Sequence, residues 1–233
     1  MSTTATTPGS TTPGPTPPGS TPPGPTIADP GPLGLAAFAA TTFVLSVFNA
    51  GLITDPRLST VVLPMALFYG GLAQLLAGMW EFRKGNTFGA TAFCSYAAFW
   101  LAYAAYARFV AGSLPLSTAH QATGLFLLVW AIFTVYMTVA ATRTTGAILA
   151  VLVTLSATFI VLCIGAFAQS ADVTKAGGWL GLVTAVCAWY ASFAGVTNAT
   201  YRRSVVPVFP NVGKHLLPHR GHHHGGPVAG AHT

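Results

Sequence analysis

Charged residues are scarce in this 233-residue chain, where four acids and ten bases make up only 6% of the sequence. A soluble domain carries about 25% charged residues. Hydrophobic residues reach 52%, and the mean hydropathy is +0.61. The stretches 58–80 and 85–107 hold no charge over 23 residues each, and a helix of that length spans about 35 Å, enough to cross a hydrocarbon core of about 30 Å. The shortage of charge therefore excludes a soluble domain and predicts an integral membrane protein.

Several chemistries lack the residues that they need. No lysine lies in the middle of an apolar stretch, and the stretches contain no phosphate loop, no pair of metal ligands and no nucleophile beside a base. Cys94, Cys163 and Cys187 lie inside apolar runs without metal or disulfide spacing, which is typical of small packing residues. The net charge of +6 forms no basic stripe of the kind that nucleic acid needs. We expect no enzyme, no cofactor, no metal site and no nucleic-acid partner.

Both ends of the chain differ in composition from its middle. Residues 1–26 contain neither a charge nor an aromatic ring, and from residue 7 they repeat Pro/Thr/Gly pentads. We predict a disordered tail over 1–27, either simply solvated or bound by a pocket for proline-rich ligands. It lacks the basic start and apolar core of a signal peptide. Residues 205–233 form a His/Gly-rich tail that could bind a soft metal without a folded cage, although a solvated cytoplasmic tail is the simpler interpretation.

Six apolar segments fill residues 28–204, the predicted transport domain. The predicted transmembrane helices run over 32–53, 59–81, 86–109, 119–141, 145–169 and 177–200. Gly112 to Pro115 breaks a charge-free run that is too long for one helix, and 170–175 separates the last two helices. The expected fold class is all-α, with six transmembrane helices in each protomer.

Basic residues predict the orientation. With six helices, both termini share a side of the membrane with the second and fourth loops. Seven of the ten bases then lie on that side: Arg83, Lys84, Arg143, Arg202, Arg203, Lys214 and Arg220. Lysine and arginine are enriched in cytoplasmic segments. We expect a multi-pass protein of the plasma membrane with both termini in the cytoplasm.

Two polar residues stand out in the second segment, because a polar group in hydrocarbon is costly without a partner or a water-filled path. Gln74 and Glu81 lie seven residues apart and so project from nearly the same helix face. They could form a polar track, in which Gln74 donates to a passing carboxylate and Glu81 lies at the mouth. The alternative is that Gln74 bonds a neighbouring helix and Glu81 caps a helix end.

Other polar residues near Gln74 and Glu81 can also be interpreted either as structural residues or as part of a solute path. Asp29 can cap the first helix, whose free N–H groups would also attract a small anion. Thr41 and Thr42 either bond back to their own helix or extend the polar track. Tyr69 and Tyr96 each place a phenol in an apolar segment, where it packs in the core or lines a pore.

The ordered motifs resemble the acetate uptake transporter family, also called the succinate–acetate permease family. That family carries Asn-Pro-Ala-Pro-Leu-Gly-Leu at its first helix, and residues 29–35 here read Asp-Pro-Gly-Pro-Leu-Gly-Leu. Further matching motifs lie at 68–71, 84–89 and 178–181, so the likeness covers about residues 28–210. The resemblance marks an entrance motif at the first helix made of Asp29, Pro30, Pro32, Leu33 and Gly34.

The resemblance implies a hexamer of six-helix protomers, each with its own pore for acetate and related small carboxylates, succinate included. It places an apolar constriction at Phe38, Tyr96 and Leu155. One departure is Asp29, which replaces the family's asparagine. A carboxylate there would repel an anion unless it is protonated or turned away as a cap, and Gly31 replaces alanine beside it.

The functional hypothesis is transport of acetate with a proton or as the neutral acid, since an apolar constriction penalises a bare carboxylate. The expected partners are a small carboxylate, protons, membrane lipid and further copies of the chain. A passive anion channel is the first alternative. A membrane sensor or scaffold that recruits partners through its two tails is the second.

Overall fold

The computed structural model describes residues 27–209, and the predicted tails therefore lie outside the described residues except for Ile27 and 205–209. Six helices in this part of the chain are long and apolar enough to span a membrane: α1 Gly31–Asn49, α2 Leu58–Lys84, α3 Thr87–Ser113, α4 Ala119–Ala141, α5 Gly146–Phe167 and α6 Ala171–Tyr201. The described residues contain no strand. The predicted all-α architecture with six membrane-spanning helices is confirmed.

Local sequence signals explain four of the twelve ends of the six described helices. The side chains of Asn86, Thr145 and Ser170 each accept a hydrogen bond from a backbone N–H in the first turn of α3, α5 and α6. Gly85 ends α2 with φ +77°, a backbone conformation that favours glycine. These caps set the register of the helices that surround the centre of the bundle.

α2 is irregular in its middle, where Met65–Ala73 form a π-helical stretch. Gly70 lies in that stretch, and a Cβ added there would come within 2.7 Å of both the Thr41 hydroxyl and the Trp100 ring. The missing side chain therefore lets α1 and α3 pack closely against α2, as small residues commonly do between membrane helices.

The helices form a ring in the order α3, α2, α1, α6, α5, α4, as their packing contacts show. α3 and α4 approach each other mainly through aromatic side chains, with Phe99 facing Phe126 at 5.7 Å and Trp130 at 5.2 Å between ring centroids. The outward faces carry large apolar side chains such as Leu125, Val129 and Ile132. The interior of the ring is left for buried polar groups and for cavities.

α6 begins at Ala171, six residues before the predicted start at 177. The predicted break over 170–175 is wrong for 171–175, because Ser170 caps α6 by accepting from Val173 N. A Cβ on Gly178 would come within 2.2 Å of the backbone N of Ala50, at the end of α1. A Cβ on Gly177 would come within 2.6 Å of the Leu162 side chain on α5, so the two glycines allow close packing of α6 on α1 and on α5. α1 itself ends at Asn49 instead of 53.

The last described residues, 203–209, form a segment that we call the C-terminal strap. Asn198 holds it near α6, donating from Nδ2 to Val206 O at 2.9 Å and accepting from Val205 N at 2.7 Å. At the far end of the strap, Gly146 N donates to Phe209 O at 2.7 Å. The strap therefore provides an acceptor for a free N–H at the start of α5.

Candidate functional site

Two cavities lie inside the helix ring, one above the other along its axis. The Gln74 cavity measures about 460 Å³ and is lined by Gln74, Glu81 and residues near the start of α1 and the end of α2. The Thr42 cavity measures about 360 Å³ and is lined by Thr42, Trp100 and residues near the opposite ends of α3 and α5. Phe38 and Leu155 line both cavities, so these two side chains lie between them.

The three residues predicted for the constriction come together at this boundary. Phe38 and Tyr96 face each other with ring centroids 5.6 Å apart, and Leu155 belongs to the same buried apolar cluster. Tyr96 lines the Gln74 cavity together with the other two. An aliphatic side chain and two aromatic rings form an apolar barrier between two chambers. A bare carboxylate loses its hydration at such a barrier, at a high cost in free energy.

Gln74 is 0% exposed, and neither its amide N nor its amide O has a hydrogen-bond partner among the described residues. An unsatisfied buried polar group costs about 1–3 kcal/mol. Because the side chain lines a cavity, a bound solute can supply the missing partners. A carboxylic acid offers both a donor and an acceptor, and the amide offers their complements. The alternative prediction, a bond from Gln74 to a neighbouring helix, is wrong within the described residues.

Glu81 and Asn86 lie near the open end of the same cavity. Glu81 is 1% exposed and accepts a hydrogen bond from Asn86 Nδ2 at 2.7 Å. Asn86 also caps α3 by accepting from Gly89 N at 3.1 Å. A Cβ on Gly89 would come within 2.9 Å of the Glu81 carboxyl carbon. This glycine thus makes room for the Glu81 carboxylate, which lines the cavity.

Asp29 is balanced by a cation at the mouth of the Gln74 cavity. Its Oδ1 accepts from Gly31 N at 2.9 Å and from Lys84 Nζ at 2.8 Å. The first contact supports the start of α1 and the second is an ion pair. Pro30, not Asp29, takes the N-cap position of the helix, so the capping prediction for Asp29 is correct in effect but one residue off in position. The ion pair offsets the negative charge that would repel an entering anion.

The other predicted residues divide between the cavities and the helix contacts. Pro32 lines the Gln74 cavity, and Thr42 lines the other one with a hydroxyl that has no partner among the described residues. Thr41 instead donates to Ala37 O at 2.9 Å, within its own helix. Tyr69 is half-buried and lines neither cavity.

The remaining residues of the entrance motif serve the backbone and the helix packing. Leu33 is 46% exposed on the outside of the bundle. Gly34 lies beneath the Phe93 ring, and a Cβ added at Gly34 would come within 2.7 Å of that ring. The motif therefore shapes the start of α1, and only part of it reaches the cavity.

Three residues of the site escaped the sequence analysis. Asn86 carries a recognisable signal, since it directly precedes a helix and a polar residue there is a typical cap. Trp100 and Thr134 carry none, because each is a single residue within a long apolar run. Trp100 lines the Thr42 cavity with an indole N–H that has no partner among the described residues, and Thr134 contacts Tyr96.

A family model described as the GPR1/FUN34/yaaH family matches residues 11–211. The chain belongs to this family. The succinate-acetate/proton symporter SatP of Escherichia coli strain K12 is 36% identical over 182 residues, which cover 78% of this chain and 95% of SatP. The solved structure of the bacterial acetate channel SatP has a TM-score of 0.73 and 36% identity, covering 78% of this chain and 99% of that one. The resemblance found from the motifs is confirmed.

Fungal members of the GPR1/FUN34/yaaH family are also similar. The accumulation of dyads protein 2 of Saccharomyces cerevisiae is 48% identical over 190 residues, and acetate permease A of Emericella nidulans is 42% identical over 201 residues. Each match covers 78% of this chain and 65% of the fungal protein. The chain thus spans about two thirds of the length of these relatives.

Proposed function

We propose that this family member transports acetate and related small carboxylic acids, succinate among them, across a membrane. The observation that carries the proposal is Gln74, a fully buried amide without a protein partner that faces a cavity closed by an apolar constriction. The names of SatP and of acetate permease A support the substrate class. The proposed role is a transporter and not an enzyme.

The path joins the Thr42 cavity to the Gln74 cavity past Phe38, Tyr96 and Leu155. During uptake a solute enters the Thr42 cavity, crosses the constriction as the neutral acid, meets the Gln74 amide and leaves beside the ion pair of Asp29 and Lys84. Protonation removes most of the cost of placing a carboxyl group between apolar side chains. Glu81 lines the Gln74 cavity on the cytoplasmic side, where it can take up the proton that the acid releases. The proposal is therefore transport linked to protons.

The proposed setting is the plasma membrane, with both termini and the mouth of the Gln74 cavity on the cytoplasmic side. The count of basic residues supports this orientation. One pore in each protomer is a prediction from the family resemblance. We retain the homohexamer as a prediction from the family resemblance.

A passive channel is the second candidate function, and the structure offers an observation in its favour. Apart from Asp29, Glu81 and Lys84 near the mouth, the described residues that line the two cavities carry neutral side chains and one histidine. A path of neutral donors can pass an anion without binding a proton. The two names given to SatP, symporter and channel, express the same alternative.

Uptake of labelled acetate into proteoliposomes, with and without an inward proton gradient, separates the candidates. Protein-free liposomes measure the leak of acetic acid through lipid. Saturable uptake above this leak that grows with the gradient supports proton-linked transport, and saturable uptake indifferent to the gradient supports the channel. No uptake above the leak refutes both and favours the sensor or scaffold.

A further inference from the structure

The hydroxyl of Tyr96 points away from the solute path, because it is engaged on the opposite side by α4. We propose that Thr134 is a positioning residue that makes Tyr96 an apolar element of the constriction and so sets its selectivity. The inference rests on the proposed function, since it concerns which solutes pass. Thr134 itself lines neither cavity.

The Tyr96 and Thr134 hydroxyls each have one hydrogen, and this determines which of them donates in the bond between them. Tyr96 Oη donates to Thr134 Oγ1 at 3.1 Å, and Thr134 Oγ1 donates to Trp130 O at 2.7 Å. Each hydroxyl has one hydrogen. Because Thr134 donates its one hydrogen to the carbonyl of the preceding turn, its hydroxyl can only accept a hydrogen bond from Tyr96. The single hydrogen of Tyr96 is therefore directed into the protein, and a solute at the constriction has no donor there.

Packing holds the Tyr96 ring in this orientation. Phe133 meets it edge-on at 5.3 Å between centroids, and Trp130 lies 6.5 Å away on the same helix. Thr134 is 0% exposed, so no water competes for the Tyr96 hydroxyl on that side. A buried hydroxyl without an acceptor destabilises the folded protein. The bond to Thr134 removes this cost without using a group of the solute.

α4 also contacts α5 beside the constriction, one turn further along the helix. The Thr138 hydroxyl, one turn after Thr134, lies 2.8 Å from Thr134 O, 3.0 Å from Leu152 O and 2.9 Å from the Ser156 hydroxyl. The last two contacts flank Leu155 on α5. No residue of α4 lines the Gln74 cavity in the described part of the chain. Thr134 thus contacts the Tyr96 hydroxyl, and Thr138 contacts α5 on either side of Leu155.

An apolar constriction should discriminate between solutes of equal size by their polarity. Propionate and glycolate have the same number of heavy atoms, but glycolate replaces a methyl group with a hydroxyl. In the wild-type protein the hydroxyl of glycolate loses its water at the constriction and finds no donor in exchange. We expect a low ratio of glycolate to propionate uptake.

Four proteins in proteoliposomes test the inference: the wild type, Thr134→Val, Tyr96→Phe and the double variant. Valine has the shape of threonine but accepts no hydrogen bond, so the freed Tyr96 hydroxyl can serve glycolate. We expect Thr134→Val to raise the glycolate-to-propionate ratio about fivefold, the factor equivalent to one neutral hydrogen bond. In the Tyr96→Phe background, adding Thr134→Val should leave the ratio unchanged, because the donor that it would free is absent. Thr134→Ser should restore the wild-type ratio.

The opposite results overturn the inference. If Thr134→Val changes the glycolate-to-propionate ratio equally in the wild-type and Tyr96→Phe backgrounds, Thr134 acts only on helix packing. An altered ratio in Tyr96→Phe alone would mean that the hydroxyl touches the solute. If Thr134→Val does not fold, as judged by size-exclusion chromatography, Tyr96→Phe and Thr134→Ser decide between these outcomes.

Failure of the proposed function is distinguishable from failure of this inference. If the wild-type protein takes up neither acid above the leak, the proposed function is wrong. The pairing of the two hydroxyls is then decided by the thermal unfolding of the same four proteins in detergent. Non-additive changes in Tm support the bond, and additive changes refute it.

Discussion

At the scale of single residues, the site depends on which buried polar groups have partners and which do not. Glu81 and Tyr96 have partners within the protein, whereas Gln74 has none among the described residues. Burial of an unpaired amide lowers the free energy of unfolding. This arrangement supports the proposal that the transported solute is the partner of Gln74.

Replacing Gln74 with leucine should separate stability from transport. The leucine keeps much of the volume but removes the unsatisfied amide, so we expect stability to rise by about 1–3 kcal/mol. Acetate uptake should fall severalfold at the same time. Thermal unfolding in detergent and uptake in proteoliposomes measure the two effects. Leu76→Ala, a change on the exposed side of the same helix, is the control. Unchanged uptake would return Gln74 to a role in helix packing.

Shortening Leu155 to alanine should widen the boundary between the two cavities. We expect uptake of succinate relative to acetate to increase, because the larger acid gains the space of the lost side chain. The variant should also lose about 2–5 kcal/mol of stability, as buried leucines usually do. Ile160→Ala, which changes an exposed position on the same helix, controls for general effects on α5. An unaltered ratio of the two acids would place the constriction elsewhere.

At the scale of elements, apolar run length predicted the helices well, whereas the polar segment 170–175 predicted the start of α6 poorly. α4 has the predicted bounds, and the break predicted from Gly112 to Pro115 agrees with the end of α3 at Ser113. α6 starts six residues early because Ser170 caps it and the polar residues that follow continue the helix. Single-sequence patterns report composition along the chain, but they do not report which neighbour a glycine meets. The same limit hid Trp100 and Thr134, whose partners lie on other helices.

A methyl group at Gly178 should disturb the contact between α6 and α1. The added Cβ would come within 2.2 Å of the backbone of Ala50, so the helices must move apart. We expect Gly178→Ala to lower stability by about 1–3 kcal/mol, the usual cost of overpacking. The matched control is Gly112→Ala, where a Cβ would have nothing within 4 Å. Thermal unfolding of both variants tests the difference, and equal Tm values would contradict the packing role.

At the scale of the whole molecule, two cavities meet at an apolar boundary, and the proposed path through that boundary favours a neutral solute. The position of the boundary follows from Phe38 on α1 and Leu155 on α5, two helices that run in the same direction through the bundle. The motifs at residues 29–35 and 68–71 predicted the family and hence the constriction. They could not predict that Lys84 neutralises Asp29, because that pair joins two helices whose approach the sequence does not specify.

Transport should be faster at acidic external pH. A carboxyl group is protonated below a pH of about 4, so each step toward that range raises the fraction of neutral acid that can cross the constriction. We expect uptake to increase as the external pH falls from 7 to 5 at a constant concentration of acetate anion. Proteoliposomes with an internal pH dye would report the proton that enters with the acid. Uptake that does not change with external pH and is accompanied by no proton movement would refute the coupling of acetate transport to protons.

The C-terminal strap completes the start of a helix that lies earlier in the chain. The first N–H of α5 bonds Phe209 O, more than sixty residues later in the sequence. α5 is therefore synthesised before the residue that provides this acceptor. A chain cut within the strap would keep all six membrane-capable helices and leave that N–H without its acceptor.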